Sequence, residues 1–210
     1  MNYQIIPAVI AKDQEELDYS LDSVGGLTEI IQLDFMDGVF VPNKSLDFDF
    51  QVDDEYSFEA HLMVADPMEW IKNFSDRVDT ILFHYESTGN PEVVLDLIKS
   101  AGCRAGLTIN PKTKVDEITP YLPLLDEILV MTVEPGFYGS KFIPDCLKKV
   151  SEIRNLSEDL VIEVDGGITD ETIRLAAEAG ANYFVSGSYI VKNERPQDAI
   201  NELKKESQVM

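Results

Sequence analysis

Short apolar runs rich in β-branched residues alternate along this chain with longer amphipathic segments. This alternation is typical of a parallel sheet covered by helices. Eight runs predict strands, at Gln4–Ile10, Glu29–Asp34, Ser57–His61, Thr80–His84, Arg104–Ile109, Glu127–Thr132, Leu160–Val164 and Tyr183–Ser186. Seven segments predict helices, at Gln14–Ser23, Pro67–Ser75, Pro91–Ala101, Lys114–Leu124, Pro144–Asn155, Asp170–Ala179 and Pro196–Lys205.

Residues typical of helix starts and helix ends support these helix predictions. Asp66 and Asn90 each precede a proline, which predicts a capping side chain at the start of a helix, and Gly102 and Gly180 suit left-handed helix ends. The segment Asn43–Glu55 is acidic and poorly periodic, so it predicts at most a short helix.

Eight strand-then-helix units most simply close into a (β/α)8 barrel, and an open doubly wound sheet is the alternative. We find no linker or repeat, so we expect one domain over residues 1–210.

The charge balance restricts the partners. Lys and Arg number 17 against 39 Asp and Glu, for a net charge of −22. Nucleic acids and anionic membranes are polyanions, so neither is expected as a partner. A phosphorylated ligand would have to be held by local backbone N–H groups and helix N-termini.

The location of the protein is an expectation from three features. The chain has no basic segment before an apolar stretch at its start and no apolar run long enough for a bilayer. Cys103 and Cys146 have no metal-ligand spacing and are expected to be reduced packing residues. A cytoplasmic enzyme fits these features, and a homo-oligomer is compatible with them.

Polar side chains at the predicted strand ends are the candidates for chemistry. Asp34 and Asp165 each follow an apolar run, and a carboxylate there is costly unless it is paired or binds a metal. The two histidines of the chain, His61 and His84, also fall at strand ends. Barrel closure would bring these ends to one mouth, where Asp34, His61 and Asp165 would suit Zn²⁺, Mn²⁺, Fe²⁺ or Co²⁺. The role of His84 stays open between a partner of this site and a packed ring.

Glycine loops follow three successive predicted strands: Gly136-Phe137-Tyr138-Gly139-Ser140, Gly166-Gly167 and Ser186-Gly187-Ser188. Loops after the last two strands of a barrel commonly hold a phosphate on backbone amides. Met36, Met63 and Met131 also lie at strand ends, where they would either fill the core or form a water-poor wall for a flat intermediate.

Together these motifs resemble the ribulose-phosphate 3-epimerase family from about Ile5 to Val191. The matching segments are Leu33–Asn43, Ala60–Val64, Val133–Phe137, Lys141–Pro144, Glu163–Ile168 and Ser186–Ser188. The resemblance implies a metal-dependent barrel that inverts C3 of a ketose phosphate through a cis-enediolate. The expected substrates are D-ribulose 5-phosphate and D-xylulose 5-phosphate.

The resemblance also implies residue roles. Asp34 and Asp165 would be the acid/base pair, and the metal ligands would be Asp34, His61 and Asp165, with Gln32 beside them. The implied substrate contacts are His61, Met36, Met63, Met131, Gly136, Phe137, Gly139, Gly166, Gly167, Gly187 and Ser188.

Three positions depart from the family pattern. Gln32 replaces a metal-binding histidine, which would weaken the binding of Zn²⁺ or Fe²⁺ or favour Mn²⁺ or Mg²⁺. Ala8 replaces a substrate-contacting serine, and Tyr138 adds bulk beside the expected phosphate. Two alternatives therefore remain: an epimerase for another phosphosugar, such as allulose 6-phosphate, and a non-catalytic phosphosugar-binding protein with a degraded metal site.

Overall fold

The predicted strands form a closed parallel barrel in the computed structural model, which describes residues 3–53, 55–136 and 139–208. Its strands are β1 Gln4–Val9, β2 Ile30–Asp37, β4 Ser57–Met63, β5 Thr80–His84, β6 Arg104–Ile109, β7 Glu127–Met131, β8 Val161–Asp165 and β9 Tyr183–Ser186, and a two-residue strand, β3 Lys44–Ser45, pairs antiparallel with β2. The order around the barrel is β1-β9-β8-β7-β6-β5-β4-β2, and β2 then pairs with β1. That last pairing, with Ala8 opposite Gln32, closes the sheet and excludes the open doubly wound alternative.

Helices cover the outside of the barrel. They are α1 Gln14–Val24, α2 Pro67–Phe74, α3 Pro91–Ser100, α4 Val115–Ile118, α5 Leu147–Leu156, α6 Asp170–Ala179, α7 Ser188–Val191 and α8 Pro196–Ser207. Of the helices in the described ranges, none combines the length and apolar character that crossing a membrane requires.

Apolar and polar side chains alternate along β2, so they lie on opposite faces of the barrel wall. Ile31, Leu33 and Phe35 belong to the large apolar cluster that includes the buried helix residues. The residues between them, Gln32, Asp34 and Met36, have the opposite parity, and successive strand side chains point to opposite faces. The polar positions of β2 therefore face the barrel interior.

The structure modifies several predicted boundaries. β2 continues to Asp37 and β4 to Met63, so Asp34 and His61 lie within their strands. The predicted fourth helix is α4 followed by a 3-10 segment at Thr119–Leu124, because Pro120 and Pro123 cannot donate α-helical hydrogen bonds. No helix forms in the described part of residues 43–55, and the four-residue α7 was not predicted.

The predicted helix ends are confirmed at three of four places. Asp66 accepts the N–H of Glu69 at 3.1 Å, Gly102 follows α3 with φ 88°, and Gly180 ends α6 with φ 110°. The capping prediction for Asn90 was wrong, because its side chain makes no capping bond and its own N–H donates to the hydroxyl of Thr88.

Candidate active site

A cavity of about 210 Å³ opens at the carboxyl ends of the barrel strands. Twelve of the predicted site residues line it: Asp34, Met36, His61, Met63, Met131, Gly136, Gly139, Asp165, Gly166, Gly167, Gly187 and Ser188. Gln32 is fully buried beneath the cavity wall, and Phe137 and Tyr138 lie outside the described residues. Remote parts of the sequence thus converge on one cavity, as barrel closure predicts.

Asp34, His61 and Asp165 form the polar centre of this cavity. Asp34 and His61 are opposite one another in the β2–β4 register, while Asp165 comes from β8. Nδ1 of His61 lies 3.1 Å from Oδ1 of Asp34 and 3.5 Å from Oδ2 of Asp165. One potential ligand atom from each residue lies within 4.8 Å of the others. The cluster therefore has the size of a coordination site.

Gln32 reaches the same two carboxylates from below. Its Nε2 donates to Oδ1 of Asp34 at 2.8 Å and to Oδ2 of Asp165 at 3.1 Å. Its Oε1 is buried and has no hydrogen-bond partner among the described residues. In this orientation Gln32 is a donor to the acid pair, and it could bind a cation only after a rotation that turns Oε1 upward.

The electrostatics of the cluster couple the acids to the imidazole. Burial raises the pKa of Asp34, against the hydrogen bond and charge of His61, and the negative charge of Asp165 raises it further. Burial alone would lower the pKa of His61, but hydrogen bonds to Asp165 and Asp34 raise it to about 9. Without a cation, His61 is therefore the positively charged group beside Asp34 and Asp165 at neutral pH.

The donor set fits a divalent cation. Two carboxylate oxygens and one imidazole nitrogen are ligands that Zn²⁺, Mn²⁺, Fe²⁺ and Co²⁺ accept, and they converge around one point. Such an ion would replace the proton of His61 as the positive charge between the acids. Asp34, His61 and Asp165 are thus the residues that could hold it.

His84 and Glu86 extend this cluster away from the cavity. Nε2 of His84 lies 3.0 Å from Nε2 of His61, and its Nδ1 lies 3.3 Å from Oε2 of Glu86. Burial lowers the pKa of His84 to about 4, against the hydrogen bond to Glu86. Both rings are fully buried. The role of His84, which the sequence left open, is therefore contact with His61. Glu86 was not among the predicted site residues, although it closely follows a predicted strand end as Asp165 does.

The glycines of the cavity lie where a side chain would not fit. Gly166 has φ 117° and Gly167 has φ 66°, and a Cβ on Gly166 would clash with Val133. Gly136 has φ 93°, and a Cβ there would lie 2.7 Å from Val41. Backbone therefore forms this wall, as the prediction of a phosphate site on backbone amides requires.

Two side chains missed by the sequence analysis hold the loops in place. Asp37 accepts the N–H groups of Val39, Phe40 and Ala65 at 2.8, 2.9 and 2.7 Å. The hydroxyl of Thr132 donates to the carbonyls of Asp165 and Gly166. The Asp-Gly pair at Asp37 was a detectable turn signal, whereas no local signal marked Thr132, because its partners lie on another strand.

The methionines form an apolar side of the cavity. Met36 and Met63 are opposite one another on β2 and β4 and pack in one cluster with Val41. Met131 packs with residues of β5 and β7. All three are at least 94% buried yet line the cavity, so they fill the barrel and also present sulfur and methyl groups to a ligand.

Comparison with known proteins gives a consistent result. The model of the ribulose-phosphate 3 epimerase family matches residues 4–191. Ribulose-phosphate 3-epimerase of Eremothecium gossypii is 40% identical over 217 residues, which cover 95% of this chain and 91% of that protein. The protein of the same name from Mycobacterium tuberculosis is 34% identical over 212 residues, covering 97% and 92%.

Solved structures of other proteins share the fold. The 3-keto-L-gulonate-6-phosphate decarboxylase of Vibrio cholerae has a TM-score of 0.75 at 12% identity, covering 99% of this chain and 98% of that chain. The 3-hexulose-6-phosphate synthase of Salmonella typhimurium has a TM-score of 0.69 at 16% identity, covering 97% and 98%. At such identities the likeness supports the barrel fold alone.

Proposed function

Because this chain belongs to the ribulose-phosphate 3-epimerase family, an isomerase family, we propose that it interconverts D-ribulose 5-phosphate and D-xylulose 5-phosphate. The observation that carries the proposal is the pair of carboxylates from β2 and β8 that meet at His61 in one cavity. Inversion at C3 needs two groups, since a single base would return the proton to the face that it left.

In the proposed reaction Asp34 takes the C3 proton, and the electrons of the C–H bond form a C2–C3 double bond as the C2 carbonyl becomes an oxyanion. Asp165, entering protonated, delivers its proton to the opposite face of C3, and the carbonyl re-forms. The sugar then has its original composition with C3 inverted, and the two acids have exchanged protonation states. The reverse reaction uses them in the opposite order.

The surroundings of the acids support these roles. Burial raises the pKa of Asp34, which makes its carboxylate a stronger base than an exposed aspartate. The buried methionines exclude water beside it, and the backbone N–H groups around Gly166, Gly167 and Gly187 are the proposed phosphate donors. A divalent cation held by Asp34, His61 and Asp165 would supply positive charge for the developing enediolate oxygens.

The test follows deuterium entry at C3 in D₂O with ribulose 5-phosphate, using metal-stripped protein and protein loaded with Mn²⁺, Zn²⁺, Fe²⁺ or Co²⁺. Exchange and conversion to xylulose 5-phosphate are expected in at least one loaded form. Asp96→Asn, on the outer helix α3, is the matched control for aspartate substitutions in the cavity, because Asp96 is exposed.

Ala8 lines the cavity where a hydroxyl group was expected, so the sugar must also be varied. Exchange with allulose 6-phosphate but not with ribulose 5-phosphate would replace the proposed substrate. Binding of both sugars with no exchange under any metal would contradict the enzyme assignment and favour a binding protein.

A further inference from the structure

We propose that His84 and Glu86 are positioning residues that hold His61 with its ring proton on Nε2, so that Nδ1 is free to bind the divalent cation. The inference rests on the proposed function only in the identity of the cation site. It concerns a chain of hydrogen bonds that runs from the loop after β6 to the centre of the cavity.

The donor and acceptor roles in this series of hydrogen bonds are fixed at Glu86. The backbone N–H of Asn110 donates to Oε1 of Glu86 at 2.9 Å, and the hydroxyl of Thr113 donates to the same oxygen. A backbone N–H can only donate, so Oε1 must accept. Burial would raise the pKa of Glu86, but its hydrogen bonds lower it, which supports an ionised carboxylate.

The acceptor role of Glu86 determines which nitrogen of His84 carries the proton. Oε2 of an ionised Glu86 can only accept, so Nδ1 of His84 carries the proton that it shares at 3.3 Å. In the neutral ring Nε2 then has a lone pair, and it can accept only from Nε2–H of His61 at 3.0 Å. His61 is thereby left with Nδ1 as its one nitrogen available to a cation.

The packing leaves these rings little freedom to break the chain. The rings of His61 and His84 stack with their centroids 5.1 Å apart, and the ring of Phe40 packs against His84 with a centroid distance of 4.7 Å. Neither histidine has exposed surface. A hydrogen-bond partner that orients a metal-binding histidine typically changes metal affinity by about 10–100-fold, and here the orienting carboxylate acts through a second imidazole.

The substitution Glu86→Gln tests these donor and acceptor roles, because it should reverse them along His84 and His61. The glutamine oxygen must stay with the N–H of Asn110, so its NH₂ group faces Nδ1 of His84. His84 must then accept there and carry its proton on Nε2. That proton opposes Nε2–H of His61, so His61 is forced to place its proton on Nδ1, where it blocks the cation. Thr113→Val is the matched control, because it removes a donor to the same oxygen without reversing any bond.

The experiment measures the ring nitrogens by ¹⁵N NMR in histidine-labelled protein loaded with Zn²⁺, together with Zn²⁺ affinity by chelator competition. The chain has two histidines, so four ring nitrogens give the whole pattern. In the wild type we expect a protonated Nε2 and metal-bound Nδ1 on His61, and a protonated Nδ1 with a bare Nε2 on His84. Glu86→Gln is expected to bind Zn²⁺ at least about tenfold more weakly, whereas Thr113→Val stays within about threefold.

Several results would overturn the inference. These are a proton on Nε2 of His84 in the loaded wild type, coordination of His61 through Nε2, absence of Zn²⁺ binding, or unchanged affinity in folded Glu86→Gln. If Glu86→Gln does not fold, the wild-type pattern decides alone. No sugar is present in these measurements, so failure of epimerisation with the expected pattern intact would contradict the proposed function and leave this inference standing.

Discussion

The barrel interior holds two clusters of buried carboxylates, one above the other. In the upper cluster Asp34 and Asp165 contact nitrogen groups of His61 and Gln32 and face the cavity. The lower cluster lies nearer the amino ends of the strands and consists of Glu59, Glu127 and Glu163, of which Glu59 precedes His61 on β4 and Glu163 precedes Asp165 on β8. One carboxylate oxygen from each residue lies within 4.8 Å of the others.

The two clusters differ in what surrounds the acids. In the lower one, Oε1 of Glu59, Oε1 of Glu127 and both oxygens of Glu163 have no hydrogen-bond partner within the part of the chain that is described. Arg104 approaches Glu127 at 3.5 Å. Burial raises the pKa of Glu59 and of Glu163 well above the ordinary value, and the charge of Glu127 raises both further. Burial therefore favours the protonated form of these glutamates, whereas the nitrogen groups of His61 and Gln32 and the open cavity make the upper acid pair usable.

The largest expected effect is a loss of epimerisation rate on substitution in the upper cluster but not in the lower one. Asp34→Asn or Asp165→Asn removes one of the two proton carriers, and epimerisation should fall by about 10²–10⁴-fold or more. Glu59→Gln, in the lower cluster, should keep the rate within about fivefold because Glu59 does not line the cavity. Steady-state rates in both directions, with circular dichroism as a check of folding, decide this. A near-normal rate in either aspartate variant would remove the distinction.

The second prediction uses the histidine that only the upper cluster contains. The pKa of His61 is about 9 without a cation, and a bound ion must displace the proton from the ring. Metal affinity should therefore rise about tenfold per pH unit between pH 7 and pH 9 and level off above this range. Chelator competition at several pH values measures the slope, with buffer and chelator protonation corrected. An affinity independent of pH in this range would mean that His61 does not exchange its proton for the metal.

The third prediction concerns Gln32, which lies opposite Glu59 in the sheet and donates upward to the acid pair. In Gln32→His an imidazole nitrogen replaces an amide, and imidazole is the better ligand for Zn²⁺ and Fe²⁺. We expect an increase in Zn²⁺ affinity of about tenfold. Gln32→Leu is the control, because leucine supplies neither a hydrogen-bond donor nor a metal ligand. If histidine and leucine give the same affinity, position 32 does not contribute a ligand.

The smallest expected effect is on stability and concerns the lower cluster. A raised pKa means that folded Glu163 keeps its proton where the unfolded chain, with an ordinary pKa near 4.5, has lost it. Its contribution is therefore fully present below about pH 4.5 and is lost as the pH rises through the folded pKa. Glu163→Gln should be less sensitive to alkaline pH than the wild type, by a few degrees in Tm, at about 2–4 °C per kcal/mol. Parallel pH dependences of Tm in the two proteins would show that Glu163 is not protonated in the fold.

The sequence predicted the barrel well because its signals were local and repeated. Strand periodicity, helix caps such as Asp66 and the β2 and β8 aspartates each depend on residues a few positions apart. It also predicted that Asp34, His61 and Asp165 would converge, since closing eight parallel strands brings their carboxyl ends together. The second strand-then-helix unit was harder to predict, because the acidic segment after β2 has no helical periodicity and contributes the short strand β3 instead of a helix.

What the sequence determined by itself was the order of elements, a parallel sheet covered by helices and the identity of the strand-end groups, because periodicity and turn chemistry act over a few residues, whereas the closure of the sheet was established by the pairing of β1 with β2. Only the tertiary structure decided that Gln32 turns its nitrogen toward the acids, that Glu86 reaches His61 through His84, and that Glu59, Glu127 and Glu163 meet. Those arrangements depend on side chains from strands far apart in the chain. Their directions are fixed by barrel register and by the few donors available in a buried interior, which no local pattern specifies.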